Sequence, residues 1–197
     1  MTAPRRCAWA DVTPAMAAYH DAEWGVARHD DTALFEALSL EGAQAGLSWR
    51  TVLERREAYR QAYLGFDIAR VAALSDAALE AILAAGAMIR HRGKIVSVRD
   101  NARAALGVIA AEGSLDRLLW SFAAMVPPAT PPGASETDAS RAMSRELRRR
   151  GFRFVGPTIC HAFMQAVGMV DGHAPECFRA RPGVGASGGP LLRPEPG

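Results

Sequence analysis

The chain has 197 residues, 49% of them hydrophobic and 22% charged, with a formal net charge of +2. This composition is typical of a folded domain with a sizeable core and argues against a disordered chain. No apolar run reaches the roughly 18 residues of a membrane helix and the N-terminus has no apolar segment, so we expect neither a membrane span nor a secretory signal. Because the net charge is small, nucleic-acid binding would need local basic patches.

Capping residues and glycine stops predict helices, and no strands, along the first half of the chain. Serine, threonine and aspartate side chains accept backbone N–H bonds where helices start, and glycine commonly ends them. The predicted boundaries in chain order are a cap at Asp31 or Thr32, a break or kink at Gly46, a new start at Ser48 extending to Tyr59, a cap at Ser75, a stop at Gly86 and a start near Gly93.

The second half continues the helical pattern around a proline-rich loop. Four prolines within residues 125–137 indicate a loop and not a regular element. The remaining predicted boundaries are a helix from Thr137 or Asp138 to Gly151 and another from Pro157 to Gly168. Residues 179–197 are rich in glycine and proline and predict a flexible tail. We therefore expect an all-α fold with one helical domain over residues 1–178, followed by a tail over 179–197.

Glu41 is the one charged residue on an otherwise apolar helical stripe. The apolar members of that stripe are Leu34, Leu38, Ala45, Trp49 and Val52. Such a stripe faces a protein core, and charged side chains are rarely buried unless they are paired. Two interpretations stay open at this point. Glu41 either caps a helix or pairs with an arginine, or it belongs to a functional site.

Three cysteines in no regular spacing indicate a reducing, cytoplasmic protein whose cysteines bind metal or pack in the core. Cys7 and His20 lie near the N-terminus, and His173 and Cys177, near the C-terminus, have the spacing of one helical turn or a tight loop. Two cysteines and two histidines form a complete tetrahedral set for structural Zn²⁺. The alternative is that these are scattered side chains, because the Cys7–His20 spacing is not that of a standard zinc finger.

Residues 79–106 predict a helix, a short basic turn and a second helix. Arg90, Arg92 and Lys94 surround Gly93 in the turn. Helix N-termini bind phosphate through free N–H groups, and glycine permits close approach. The pattern favours a helix-hairpin-helix that grips the DNA backbone, and the alternative is a plain helical hairpin with an exposed turn. Lys94 is the only lysine in the chain, and lysine can form a Schiff base.

Four stretches and the final His-x-x-x-Cys motif together resemble the 3-methyladenine DNA glycosylase I family of the helix-hairpin-helix glycosylase superfamily. The stretches are residues 18–26, 38–60, 86–95 and 139–173, and the resemblance spans Arg6 to Cys177. It implies a helical glycosylase fold and hydrolytic release of 3-methyladenine from alkylated double-stranded DNA.

The resemblance also assigns residues. It implies a structural zinc bound by Cys7, His20, His173 and Cys177. It implies a base pocket with Glu41 as the catalytic glutamate, with Tyr19 and Trp49 against the base and with Trp9 and Trp24 as lining. The predicted DNA contacts are Arg90, Arg92, Gly93 and Lys94. We expect a monomer in the bacterial cytoplasm, associated with the nucleoid through DNA. Met16 departs from the family, because it stands where the family has a tyrosine.

The chemistry of the expected substrate explains these residue types. Methylation at N3 gives adenine a positive charge, so the base leaves as a neutral molecule and needs little acid catalysis. Aromatic faces and a carboxylate suit such a base once it is flipped out of the duplex. Glu41 either reads the base and stabilises positive charge, or acts as general base on water. Two further hypotheses are a bifunctional glycosylase/lyase using Lys94 and a zinc-bearing module that binds damage without cleaving it.

Overall fold

The computed structural model describes residues 4–127 and 133–180, which form helices and no strands. The ten α-helices are α1 (Pro14–Ala22), α2 (Asp31–Gln44), α3 (Trp49–Leu53), α4 (Arg56–Ala62), α5 (Ile68–Ala72), α6 (Asp76–Ala85), α7 (Arg92–Glu112), α8 (Leu115–Trp120), α9 (Asp138–Arg149) and α10 (Pro157–Ala166). Three short 3-10 helices span Ala8–Val12, Leu64–Phe66 and Ser121–Met125. The predicted all-α class is confirmed over this part of the chain.

Helix α2 forms the centre of the fold. It contacts α3, α7, α8 and α10, and its residues from Leu38 to Ala43 are all buried. A helix segment that is buried on every face lies inside a core. Phe35 of α2 packs in one core cluster with large buried side chains of other elements, among them Tyr63, Phe66, Leu119, Met143 and Phe163. Glu41 therefore lies in the longest uninterrupted run of buried residues in the described part of the chain.

The predicted caps at Ser48, Ser75 and Thr137 are confirmed, and the cap of α2 is corrected. Ser48, Ser75 and Thr137 each accept a backbone N–H bond from the first turn of their helix. The cap of α2 is Asp30, whose Oδ1 accepts the N–H of Ala33 at 2.8 Å, and not Asp31 or Thr32. The carboxylate of Asp31 accepts the N–H groups of Leu115 and Asp116 instead, at 3.1 and 2.8 Å, and so caps α8.

The chain turns sharply between Glu41 and Trp49. Gly46 has a φ of +77°, a backbone region that strongly favours glycine, and it separates α2 from α3. The single helical stripe predicted through Glu41 and Trp49 is therefore wrong, because the two residues lie on different helices. The predicted segment from Ser48 to Tyr59 is likewise two helices, α3 and α4.

Helices α6 and α7 form the predicted helix–turn–helix, joined by residues 86–91. Gly86 ends α6 with a φ of +66°. His91 caps α7, because its Nδ1 accepts the N–H of Lys94 at 3.1 Å. The predicted stop at Gly86 is confirmed, and the start predicted near Gly93 falls one residue earlier, at Arg92.

The end of α10 lies directly on the connection between α1 and α2. A Cβ at Gly168 would come within 2.8 Å of the carbonyl oxygen of Gly25 and the nitrogen of Ala27, so only glycine permits this approach. The N–H of Gly25 donates to the carbonyl of Ala166 at 3.1 Å. These contacts hold the end of α10 against the segment that follows α1.

No helix in the described ranges is both long and apolar enough to cross a bilayer. The predicted proline-rich loop falls partly outside the described residues, at 128–132, and the predicted tail falls outside them from residue 181 onward. The division into a domain over 1–178 and a tail over 179–197 stays a prediction. Arg179 is described, and its N–H bonds the sulfur of Cys177 at 3.4 Å.

Candidate active site and metal centre

The predicted pocket residues line one cavity of about 120 Å³. A single water needs roughly 10–15 Å³ by this kind of measure, so the cavity has room for a larger ligand. Its lining comes from the first 3-10 helix, α1, α2, α3, α10 and the segment after α1, and consists of Trp9, Tyr19, Trp24, Glu41, Gln44, Trp49, Ala162 and Gln165. The structure thus brings together the predicted glutamate and all four predicted aromatic residues.

Glu41 is buried without a charge partner. Its side chain is 4% exposed, and its Oε2 has no hydrogen-bond partner in the described parts of the chain. Burial raises the pKa of the Glu41 carboxyl to about 8. No ion pair or side-chain hydrogen bond to Glu41 is found within residues 4–127 and 133–180, so the capping and arginine-pairing interpretation has no support. A buried carboxylate in a cavity with a raised pKa indicates a functional site.

Tyr19 and Trp49 form the aromatic wall beside Glu41. Their ring centroids lie 5.2 Å apart, and Tyr19 is 8% exposed. Burial raises the pKa of the Tyr19 phenol, and the charge of Glu41 adds to the rise, so the phenol stays neutral and can donate a hydrogen bond. The buried Nε1 of Trp49 has no hydrogen-bond partner among the described residues. The cavity lining therefore carries an acceptor, Glu41 Oε2, and two donors, the Tyr19 phenol and the Trp49 indole N–H.

Trp9 and Trp24 connect the pocket to the cysteine and histidine cluster. Their rings meet edge to face at 5.0 Å. On the far side Trp24 packs edge to face against His173 at 4.5 Å, and Trp9 packs against His20 at 5.4 Å. The second aromatic wall of the cavity therefore rests directly on two of the predicted metal ligands.

Cys7, His20, His173 and Cys177 form a group that could hold a metal ion. All four donor atoms lie within 4.8 Å of one another. The Sγ of Cys177 is 3.3 Å from His20 Nε2 and 3.6 Å from His173 Nδ1, and the Sγ of Cys7 is 3.7 Å from that same Nδ1. Zinc–sulfur and zinc–nitrogen bond lengths give a tetrahedral edge of roughly 3.6 Å. The donor set and its spacing fit a tetrahedral ion.

Groups around the four donors fix their orientation. The Nδ1 of His20 bonds Asp21 at 2.9 Å, which leaves Nε2 facing the cluster. Three hydrogen bonds from Arg6 hold the Asp21 carboxylate, and with His20 they lower its pKa to about 2. The N–H of Ala174 donates to Cys7 Sγ at 3.3 Å. Burial raises the pKa of the Cys7 thiol to about 11, and a bound cation opposes this because it stabilises the thiolate.

The basic turn presents fewer free cations than the sequence indicates. Arg90 is exposed, and Arg92 pairs with Glu80 at 2.6 Å. The Nζ of Lys94 points inward, where it donates to the carbonyls of Ala43 at 3.0 Å and Ala45 at 2.6 Å. Burial lowers the pKa of Lys94. Lys94, predicted as a DNA contact, therefore binds the end of α2 in this structure, and the roles of Arg90, Arg92 and Gly93 stay predictions.

The predicted pocket can also be compared with the observed cavity at Met16 and at three further lining residues. Met16 is buried at 5% exposure in α1 and does not line the cavity. The lining residues that the sequence reasoning missed are Gln44, Ala162 and Gln165. Gln44 follows Glu41 by three positions on α2, and residues at that spacing share a helix face. That signal could have found Gln44, whereas Gln165 comes from a distant helix with no comparable signal.

Comparison with known proteins agrees with this geometry. A family model for methyladenine glycosylases matches residues 9–180. DNA-3-methyladenine glycosylase 1 of Escherichia coli (strain K12) is 44% identical over 177 residues, which cover 87% of this chain and 95% of that protein. The DNA-3-methyladenine glycosylase of Haemophilus influenzae is 39% identical over the same length, covering 87% and 96%.

Solved structures show the same fold. A 3-methyladenine DNA glycosylase I with 44% identity superposes with a TM-score of 0.85, covering 90% of this chain and 100% of its own. Since the family model spans most of the chain and a relative with 44% identity covers 87% of it, the chain belongs to the methyladenine glycosylase family.

Proposed function

We propose that this protein is a DNA-3-methyladenine glycosylase that hydrolyses the bond between N9 of the methylated base and C1′ of its sugar. The observation that carries the proposal is Glu41, a buried carboxylate without a partner beside two aromatic rings in a cavity large enough for a ligand. The family and the names of its relatives support the same activity.

The reaction begins with a base flipped out of the duplex, at a cost of a few kcal/mol. As the C1′–N9 bond breaks, its electron pair stays on N9 and the cationic base leaves neutral. The positive charge passes to the sugar. Water then adds to C1′ and loses a proton, so the products are free base and an abasic sugar.

The cavity suits a cationic purine better than a neutral one. The face of Trp49 can attract the charged ring, a contact worth roughly 0.5–2 kcal/mol. Glu41 can accept hydrogen bonds from the base edge and offset its charge, and the neutral phenol of Tyr19 can donate one. Ordinary adenine lacks the charge and loses much of this stabilisation, which gives selectivity for the damaged base.

The raised pKa of Glu41 favours a role as charge-stabilising base reader. With a pKa near 8, the carboxyl is largely protonated at neutral pH in the free protein. A cationic base beside it favours the ionised form. The binding of the substrate therefore ionises Glu41, which then faces the positive charge through bond breaking. The general-base role on water uses the same ionised carboxylate, and it stays the second possibility.

Two solved relatives support the assignment of Tyr19 and Glu41. One carries a tyrosine-to-phenylalanine substitution and holds 3-methyladenine. The other, from Staphylococcus aureus, carries a glutamate-to-glutamine substitution. The residue numbers of those two substitutions differ by 22, as do those of Tyr19 and Glu41. Met16 does not fit this spacing, so its difference from the family leaves this pair intact.

We propose Zn²⁺ as the ion of the cysteine and histidine cluster. Four protein donors leave no open position for water or substrate, so the ion is structural. When bound, it joins the N-terminal segment to the C-terminal segment and closes a long loop of the chain. It also fixes His20 and His173, against which the Trp9 and Trp24 wall packs.

We further propose that α6, the basic turn and α7 act as a helix-hairpin-helix on double-stranded DNA. The backbone at Gly93 and the side chain of Arg90 would contact phosphate. The exposed pair of Arg92 with Glu80 is of a kind worth little in water, so Arg92 can exchange its carboxylate for a phosphate. We expect a monomer in the bacterial cytoplasm, bound to DNA when it acts.

The activity is tested by incubating the protein with methylated duplex DNA and separating the released bases by chromatography. We expect release of 3-methyladenine by the wild-type protein. Binding without release would contradict the proposal and favour a damage-binding module. A covalent adduct trapped by borohydride would favour a lyase, but the placement of the Lys94 ammonium on two carbonyls argues against it.

A further inference from the structure

The only lysine of the chain connects the basic turn to the helix that carries Glu41. Lys94 lies in the first turn of α7, and its own N–H donates to the capping Nδ1 of His91. Its ammonium reaches the other way, to the carbonyls of Ala43 and Ala45. One residue therefore belongs to the turn through its backbone and to the pocket helix through its side chain.

The two acceptors are the carbonyls that α2 leaves unsatisfied at its end. The last carbonyls of a helix have no partner within the helix, and a cation near them is stabilised by the helix dipole. Here α2 ends at Gln44, and the bond from Ala45 N–H to Gly42 is long, at 3.4 Å. The ammonium of Lys94 thus fixes the backbone two and four residues beyond Glu41.

A third segment, around Phe154, packs where the end of α2 meets the start of α7. A Cβ at Gly42 would lie 3.2 Å from the carbonyl oxygen of Phe154, and one at Gly93 would lie 3.7 Å from the ring of Phe154. Phe154 itself has a φ of +56°. Asn101 holds the preceding residue, Arg153, by bonds to its N–H at 2.8 Å and its carbonyl at 3.0 Å. The ends of α2 and α7 therefore meet in close, well-fixed contact.

We infer that Lys94 is a positioning residue for excision: it couples the basic turn to α2 and so sets the place of Glu41 when the turn docks on DNA. The inference rests on the proposed glycosylase function. It differs from a phosphate contact, because the ammonium faces α2, and from a Schiff-base role, because the reaction needs no amine. The coupling acts on the bound complex, so it affects kcat more than KM.

The test compares two variants that each remove a cation–carbonyl bond made by α7. Lys94→Met removes the bonds to α2. Arg103→Met removes the bond from Arg103 Nε to the carbonyl of Ala72, at 3.0 Å, at the end of α5 and away from the pocket. We measure kcat and KM on methylated duplex DNA, the melting temperature, and affinity for undamaged DNA.

We expect Lys94→Met to lower kcat about tenfold with KM and DNA affinity within about twofold of wild type. Arg103→Met should lose a similar amount of thermal stability and keep its kcat, and Lys94→Arg should recover much of the lost rate. A drop in DNA affinity with a salt dependence reduced by about one ion would instead make Lys94 a phosphate contact and overturn the inference. Equal kcat values in the two methionine variants would also overturn it.

A second measurement uses the single lysine as a probe. Labelling with ¹⁵N-lysine gives one side-chain ammonium signal in nuclear magnetic resonance. We expect that signal to shift both with undamaged duplex DNA and with free 3-methyladenine. A shift with DNA alone would overturn the coupling. If wild-type protein releases no base, the proposed function itself fails, and that result is distinct from release with unchanged kcat in Lys94→Met.

Discussion

The pocket and the cysteine and histidine cluster are neighbouring buried polar regions that differ in how their polar groups are satisfied. In the pocket, Glu41 Oε2 and Trp49 Nε1 have no partner within the described residues. In the cluster, His20 is held by Asp21, and both cysteine sulfurs accept backbone N–H bonds. An unpaired buried polar group destabilises the fold. The difference supports our proposals of a transient ligand in the pocket and of a structural ion in the cluster.

We expect the largest effect from a substitution that removes one donor of the cysteine and histidine cluster. Cys177→Ala removes one of four donors, and we expect loss of bound zinc and a free energy of unfolding lower by several kcal/mol, because the energy of structural metal binding is also folding energy. Metal content by mass spectrometry and thermal unfolding with and without a chelator measure this. The matched control is Cys160→Ala, a buried cysteine outside the cluster, which should keep its zinc. Full stability of a metal-free Cys177→Ala protein would refute a structural ion.

We expect the next largest effect from a substitution in the pocket that leaves the cysteine and histidine cluster unchanged. Glu41→Gln keeps the shape of the side chain and removes its charge, so we expect about a 100-fold loss of excision rate with the zinc retained. Single-turnover kinetics on methylated DNA measure the loss. Glu57→Gln, on the exposed surface of α4, is the control and should keep its rate. Full activity in Glu41→Gln would remove Glu41 from the mechanism.

A smaller effect appears in the pH dependence of stability. The pKa of Glu41 rises from about 4.3 in an unfolded chain to about 8 in the fold, so the folded protein retains the proton over that range. The stabilisation from the protonated form is complete below pH 4 or so and is lost as pH rises through about 8. We expect wild type to lose stability relative to Glu41→Gln by a few kcal/mol between about pH 5 and pH 9.

Glu146 is a control within the same protein for the direction in which stability changes with pH. Hydrogen bonds from Arg149 and Arg150 lower the pKa of Glu146 to about 2, so its contribution is present above about pH 4 and is lost as pH falls. Denaturant unfolding of wild type, Glu41→Gln and Glu146→Gln from about pH 2 to about pH 9 covers both windows and compares the two. If wild type instead gained stability relative to Glu41→Gln as pH rises, the ionised carboxylate would have a partner that the structure does not show.

The sequence predicted features with local causes better than features that depend on distant contacts. Caps at Ser48 and Ser75 follow from bonds within one helical turn, and they are confirmed. Glu41 stood out because a charge on an apolar stripe is a local anomaly. Asp31 was misassigned because its carboxylate serves α8, more than 80 residues away in the chain. The inward direction of Lys94 and the presence of Gln165 in the pocket depend in the same way on how helices pack.

The smallest effect separates a ligand-directed hydroxyl from a structural one. Tyr63 donates to the carbonyl of Ile95 at 3.0 Å in the core, so Tyr63→Phe removes a buried hydrogen bond and should cost about 0.5–1.5 kcal/mol of stability with excision unchanged. Tyr19 borders the cavity, and its ring stays in place in Tyr19→Phe. That variant should keep its stability and lose roughly threefold in excision rate, because one hydrogen bond of about 0.5–1.5 kcal/mol to the base is lost. Melting temperatures and excision rates of both variants test this. The reverse pattern, with Tyr19→Phe unstable and fully active, would mean that the phenol supports the fold and that Glu41 and Trp49 alone recognise the base.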